Sequence, residues 1–308
     1  MDSRGRAVPA TQPIVLEEGF YGVVEQVARD LYIEAQKDVP PDVRAALSKA
    51  LEEESVPRAR AALKVMIQAI ELADEKSMLV CQDTGLPIFW LTIGRGLCVD
   101  GTRLQQAVRR GTERATKEHP FRSSVVSPLG RENLQTSCGR RIPYIHMEFT
   151  DRHSDLEALM MPKGSGSENM TFLKMLAPAD GIEGVKKAIL DSVIQAGANP
   201  CPPTVVGVGI GGTADQCVYL AKLALTRPVG SHNADPALAA LEDQLLSVIN
   251  QTGIGPMGLG GDTTSLAVHI EEAYTHITMN PVAVNLQCWR GVRRRAYIHA
   301  DGTVDYGY

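Results

Sequence analysis

Two hydrophobic periods divide this chain, and the change from one to the other fixes its fold class. In the first quarter Phe20, Val23, Val24, Val27, Leu31 and Ile33 recur at near-helical spacing, and Leu47, Ala50 and Leu51 do the same. Pro40-Pro41-Asp42 separates the first two helices and starts the second. A third helix is expected over 57–75, with Ala62, Val65, Met66, Ala69 and Ile70 on its apolar face, and no strand is expected before Leu79. Beyond that point short apolar runs alternate with helices. Met78-Leu79-Val80, 88–93, 142–149, 156–161, 204–210, 266–270, 282–286 and 296–300 are strand candidates. Helices are expected over 102–117, 182–196, from about Thr213, and over 236–249 with Asp235 as N-cap. The fold class is therefore mixed α/β: a helical N-terminal section, then mixed β-sheets covered by helices. Residues 1–12 are expected as a loose tail, about 13–77 as the helical section and about 78–308 as the α/β section.

With 308 residues, 44% hydrophobic and 22% charged, the chain can form one large domain or two unequal ones. A net charge of −5 argues against a general nucleic-acid binder. No apolar run approaches the ~20 residues of a membrane span, and the basic N-terminus lacks the apolar core of a signal peptide. Six cysteines without a secretory signal point to a reducing compartment, so a cytoplasmic location is expected and disulfides are not.

No two of those cysteines form Cys-x-x-Cys, so a metal site must be assembled from distant segments. Cys81 opens the polar turn Gln82-Asp83-Thr84-Gly85 after an apolar run. Cys201 sits in Asn199-Pro200-Cys201-Pro202-Pro203 before a buried strand, and Cys288 follows the strand ending at Gln287. Element ends let side chains converge while the scaffold stays rigid, and flanking prolines restrain Cys201. Three thiolates suit an iron–sulfur cluster with one iron left open, or a zinc site completed by His276. Three buried apolar cysteines remain the alternative.

Six motifs, in order, carry a resemblance. They are Cys81-Gln82-Asp83-Thr84-Gly85; Lys163-Gly164-Ser165-Gly166-Ser167-Glu168-Asn169; Cys201-Pro202-Pro203; the run Val206-Gly207-Val208-Gly209-Ile210-Gly211-Gly212-Thr213; Gly255-Pro256-Met257-Gly258-Leu259-Gly260-Gly261; and Pro281-Val282-Ala283-Val284-Asn285 leading to Cys288. Together they resemble the iron–sulfur hydro-lyases, the class I fumarases and L(+)-tartrate dehydratases. The resemblance implies a [4Fe–4S] cluster on Cys81, Cys201 and Cys288, with the open iron coordinating substrate, and it leaves Cys98, Cys138 and Cys217 as bystanders. It implies Asp83 as acid or base, with Gln82, Arg122 and His276 contacting a small dicarboxylate. Gly166 would lend a backbone N–H, Gly164 being an alternative. Trp289 stands where many members have histidine, and Asp262 where a basic residue is frequent; both leave the substrate preference open.

Full enzymes of that family carry a second domain with a threonine base and further arginine and lysine contacts. This chain stops at Tyr308, so the resemblance implies an α subunit that needs a separate β subunit, as a hetero-oligomer of αβ pairs. Fumarate hydratase is the first expectation and L(+)-tartrate dehydratase the second. A non-catalytic iron–sulfur or zinc redox sensor or scaffold is the alternative of another class.

Other features compete. Gly207-x-Gly209-x-x-Gly212 fits a dinucleotide fingerprint between strand and helix, but the region about 20 residues on is a loop rather than a strand ending in an acid. The glycines are read instead as letting the chain turn tightly beside the cluster. His153, His232 and His269 are read as polar surface residues. Arg290 and Arg293-Arg294-Arg295 could bind a carboxylate but are read as a solvated charged stretch.

Overall fold

Prolines and aspartates set where the helices begin. In the computed structural model, which describes residues 14–16 and 19–308, a two-residue strand β1 (Ile14–Val15) precedes helix α1 (Phe20–Lys37). Helices α2 (Pro41–Glu53) and α3 (Pro57–Lys76) both start on a proline, where the missing N–H would have had no helical partner. Strands β2 (Leu86–Ile93) and β3 (Leu97–Cys98) follow. Helix α4 (Gly101–Glu118) is capped by the Asp100 carboxylate, which accepts from Thr102 N–H at 2.9 Å and Arg103 N–H at 3.2 Å. The chain continues through β4 (Tyr144–Phe149), β5 (Leu156–Lys163), the single turn α5 (Ser165–Glu168), β6 (Phe172–Leu176), α6 (Gly181–Ala196), β7 (Thr204–Gly211) and α7 (Ala214–Ala224). It ends with α8 (Pro236–Asn250), β8 (Ser265–Ala273), β9 (Asn280–Gln287), β10 (Arg294–Ile298) and β11 (Val304–Gly307). Asp235 caps α8, as expected.

The mixed α/β class and the helical opening section are borne out. Two compact units are present. Of the described residues, the first comprises those up to 35 with 86–162 and 293–308; the second comprises 36–85 and 163–292. The expected tail, residues 1–12, lies outside the described residues.

The first unit holds the sheet β11-β10-β5-β2-β4 and the parallel pair β1-β3. Its core packs Leu31 and Tyr32 of α1 and Leu104 and Val108 of α4 against Phe89, Leu91, Leu156 and Ile298 of the sheet. Each such apolar side chain stabilises by ~1.5–3 kcal/mol when fully buried.

The second unit holds the sheet β6-β9-β7-β8, in which β9 runs antiparallel to β6 and β7, while β7 and β8 are parallel. Val206 and Val208 of β7 join Val284 and Leu286 of β9 and Ile189 and Leu245 of the helices in one core. A second core packs Val43 and Leu47 of α2 against Leu63 and Ile70 of α3.

Several expectations need correction. Residues 78–80 form no strand; the Val80 N–H donates to the Gln36 carbonyl at 3.0 Å instead of to a ladder. A strand does precede Leu79, namely β1, which pairs with β3. Of the fingerprint glycines, Gly212 does turn the chain, in the bend after β7 at φ +67°, but Gly207 and Gly209 do not. Gly207 and Gly209 lie inside β7, where a Cβ would sit 2.1 Å from the Ala221 carbonyl and 2.0 Å from the Cys217 carbonyl, so their bareness lets α7 press onto the sheet. His269, expected at a surface, is fully buried on β8.

Candidate active site

Three separate segments bring Cys81, Cys201 and Cys288 into one neighbourhood of the second unit, each thiol half-buried. Burial pushes the Cys201 thiol up, and Cys288, Cys81 and Asp83 push it further, while Arg290 draws it down. Charges act on a thiol in this way only from nearby. The other cysteines behave differently. Cys98 is exposed, whereas Cys138 and Cys217 are buried against the carbonyls of Arg109 (3.7 Å) and Gly209 (3.2 Å). Burial raises their thiols to about 12 and about 11, which suits inert packing residues.

Cys201 adopts φ +57°, a left-handed conformation in which a Cβ is crowded. Its surroundings hold it there. The Cys201 N–H donates to the Ala198 carbonyl at 3.0 Å, its carbonyl accepts from Trp289 N–H at 3.1 Å, and the neighbouring Pro202 carbonyl accepts from Met257 N–H at 2.8 Å. Asp262, the departure noted in the glycine-rich segment, accepts from Ser55 N–H at 2.8 Å, so it serves to fasten that segment to the end of α2.

The turn that carries Cys81 and Asp83 is fastened at both ends. Gln36 Nε2 donates to the Thr84 carbonyl at 2.9 Å, and Arg290 Nη2 to the Asp83 carbonyl at 3.3 Å. The Asp83 carboxylate is oriented by two backbone donors, Gly85 N–H at 3.1 Å and Ser165 N–H at 3.0 Å. Gln82 is exposed beside it. Gly166, within α5, has a packing reason for its identity: a Cβ would lie 2.6 Å from the Asn199 carbonyl, in the turn that holds Cys201. Gly164 precedes α5 as its N-cap.

His276 is exposed on the loop between β8 and β9, with Thr278 Oγ1 2.9 Å from Nδ1. The Thr278 N–H also donates to Nδ1 at 3.3 Å, which makes Nδ1 the acceptor and puts the neutral ring's proton on Nε2. Arg122 belongs to the first unit and is exposed on the segment after α4.

Of the residues in this neighbourhood, the sequence did not single out Gln36, gave Lys163 no role of its own within its motif, and weighed Arg290 as a carboxylate binder but read it as solvated. The Lys163 side chain is 0% exposed; its Nζ donates to Ser167 Oγ at 2.8 Å and to the Leu286 carbonyl, 3.8 Å from Glu168 Oε2. Burial pulls its ammonium down to about 8, against the opposing pull of Glu168, Cys288 and Asp83. A lysine closing an eight-residue apolar strand was the available signal. Arg290 overturns its reading as part of a solvated stretch: it is 4% exposed and bonded into the Asp83 turn. Arg293 is buried too, Arg294 pairs with Glu34, and Arg295 with Glu157 at 3.2 Å. Each of these cations has a protein neighbour where a solvated face would have water.

Among the described residues no group of three or more His, Cys, Asp or Glu side chains could hold one metal ion, as a zinc site completed by His276 would require. In a four-iron cluster each cysteine thiolate binds its own iron, so the sulfurs surround the group rather than meet at a point. Arg290 Nε is buried without a hydrogen-bond partner beside these thiols, a donor left for an anionic group.

Among the described residues no helix is long and apolar enough to cross a membrane. The family model for fumarate hydratase (Fumerase) matches residues 25–298. A putative L(+)-tartrate dehydratase subunit alpha from Methanocaldococcus jannaschii is 44% identical over 276 residues, covering 88% of this chain and 97% of that protein. The L(+)-tartrate dehydratase subunit alpha of Escherichia coli (strain K12) is 31% identical over 267 residues, covering 87% of this chain and 88% of that protein. With the match running through all three cysteine segments, the chain belongs to the fumarate hydratase family and is a hydro-lyase.

Proposed function

We propose that this chain is the α subunit of a [4Fe–4S] hydro-lyase that interconverts fumarate and L-malate. Cys81, Cys201 and Cys288 would hold the cluster, and a β subunit would complete the site in αβ pairs. The observation that supports it is that Cys81, Cys288 and Asp83, from separate segments, lie near enough to the half-buried Cys201 thiol to act on it. When bound, such a cluster supplies a Lewis-acidic iron that makes hydroxide a better leaving group.

The chain's own residues do the rest. Asp83, two residues from Cys81 and aimed by two backbone donors, moves a proton to or from the departing oxygen. His276 offers Nε2–H to substrate, Gln82 and the Gly166 N–H add polar contacts, and the Arg122 guanidinium fits a carboxylate bidentately. The β subunit supplies the base that removes the carbon-bound proton. Reduced thiols suit work in the cytoplasm.

A second substrate, L(+)-tartrate, is favoured by the names of both relatives. The test is to coexpress the chain with its β half, purify anaerobically, and assay fumarate, malate and L(+)-tartrate. Activity confined to tartrate would replace the first substrate by the second. About four irons per chain are expected; zinc, or no metal in a folded sample, would sink the cluster.

A further inference from the structure

Lys163 is a charge shut away from solvent, and such a group persists only where the protein gives it partners. An ammonium has three N–H donors. Here one meets Ser167 Oγ at 2.8 Å and one the Leu286 carbonyl, with Glu168 Oε2 3.8 Å away. Those partners lie on two different parts of the site. Leu286 is two residues before Cys288, at the end of β9. Ser167 donates onward to the Gly164 carbonyl at 3.0 Å, and this closes the turn whose Ser165 N–H holds the Asp83 carboxylate at 3.0 Å.

Glu168 is itself held. Lys222 pairs with its Oε1, and Asn285 Nδ2 donates to its Oε2 at 3.4 Å and to Thr171 Oγ1 at 2.6 Å. Asn285 also sits on β9, so the α5 turn and that strand are joined twice, by Lys163 and by Asn285. The lysine differs in being a buried cation whose Nζ donates to both Ser167 Oγ and the Leu286 carbonyl.

We infer that Lys163 is a positioning residue. Its buried ammonium ties the strand end presenting Cys288 to the turn presenting the Asp83 carboxylate, and so sets the geometry between the third cluster ligand and the proton carrier. This rests on the proposed cluster hydro-lyase. A lysine with a merely structural role would lower stability and cluster loading and leave the turnover of each loaded site unchanged.

The test uses the αβ complex carrying Lys163→Met, which keeps length and removes the charge, or Ser167→Ala, which removes one acceptor and frees the Gly164 carbonyl. Each complex is reconstituted anaerobically and read for iron content, for kcat and KM per loaded cluster, and for the change that substrate makes in the EPR spectrum of the reduced cluster. For Lys163→Met the expectation is near-normal iron, kcat per cluster down roughly ten- to a hundred-fold as misplacement of a reacting group predicts, a much smaller change in KM, and an altered substrate-induced spectrum. Ser167→Ala should move the same readouts in the same direction, less far. Unchanged kcat per cluster and an unchanged substrate-induced spectrum in the soluble variants would overturn the inference. If Lys163→Met does not fold, Ser167→Ala alone decides. A wild-type complex that holds no iron, or that acts on none of fumarate, malate and L(+)-tartrate, would instead defeat the proposed function, and the inference with it.

Discussion

The backbone N–H of Trp289 donates to the carbonyl of Cys201 at 3.1 Å. That bond joins the residue after one proposed cluster ligand to another ligand held at φ +57°. Backbone, rather than side chains, therefore fixes the spacing of these two segments, and the Cys201 thiol can be removed without removing the bond.

Cys201→Gly and Cys201→Ala should both abolish cluster binding, seen as loss of iron and of visible absorbance. They should differ in stability. A left-handed residue with a Cβ carries a penalty of about 1 kcal/mol that glycine avoids, partly offset by the greater freedom of glycine in the unfolded chain. Cys201→Gly is expected to unfold at equal or higher urea than Cys201→Ala. Cys217→Ala, whose thiol lies against the Gly209 carbonyl at 3.2 Å, should keep its iron. Iron retained in Cys201→Ala would remove that residue from the ligand set.

The glycine-rich segment makes a stability prediction. Glu54 is buried at the end of α2, and its carboxylate accepts from Asp262 N–H at 3.0 Å, Thr263 N–H at 3.3 Å and Val56 N–H at 3.1 Å. Glu54→Ala leaves those donors without their acceptor and should cost about 1–3 kcal/mol. Urea denaturation of the two proteins measures it; a difference near zero would mean that water replaces the carboxylate.

Gly209 supports a prediction that also disposes of the dinucleotide reading. A Cβ there would meet the Cys217 carbonyl at 2.0 Å, too close for any rotamer to relieve. Gly209→Ala must push α7 off β7, and overpacking of this kind costs about 1–3 kcal/mol. The wild-type protein should show no saturable NAD binding by calorimetry. Tight NAD binding would restore a cofactor role for these glycines.

What the sequence made legible follows from how long each signal ran. The core strands β7 and β9 read as continuous apolar runs because neighbouring strands and helices cover them. Four-residue α5 and two-residue β1 and β3 are too short to show a period, and β6 is interrupted by Lys174. Residues 78–80 are apolar for a different reason, since Val80 packs against the α2–α3 core while its N–H bonds to Gln36. The cysteines were legible as a set only through the motifs around them. Lys163 was left without a role and Arg290 was read as solvated because a charged side chain is ordinarily exposed, and only the folded chain reveals the carbonyls and carboxylates that meet them.

A pH effect is expected in the first unit, at a histidine that is not a proposed ligand. His299 lies between Asp155 (2.9 Å) and Asp305 (3.0 Å). The Asp305 hydrogen bond, then that of Asp155, raises its pKa above the ordinary 6.5. A raised histidine contributes stability below its unfolded pKa and loses it as pH rises through the folded value. The melting-temperature gap between wild type and His299→Gln should therefore be wider at about pH 6 than at about pH 8. In an NMR titration the His299 midpoint should lie above 6.5 and fall in Asp305→Asn. A midpoint below 6.5 would show that the carboxylates do not act on the ring.

Asp83→Asn separates the proton carrier from the scaffold. The amide has one oxygen where the carboxylate has two, so it keeps one of the bonds from Gly85 N–H and Ser165 N–H and loses the other, while Gln36 and Arg290 still hold the turn next to Cys81 through the Thr84 and Asp83 carbonyls. Iron content should match wild type, because no thiol has changed. Turnover should fall by roughly 10²–10⁴, the usual worth of a positioned acid or base. A neutral amide still donates and accepts hydrogen bonds, so KM should move far less than kcat. Wild-type turnover in Asp83→Asn would transfer the proton step to His276 or to the β subunit. Loss of iron together with activity would mean instead that the Asp83 turn serves chiefly to hold Cys81 in place.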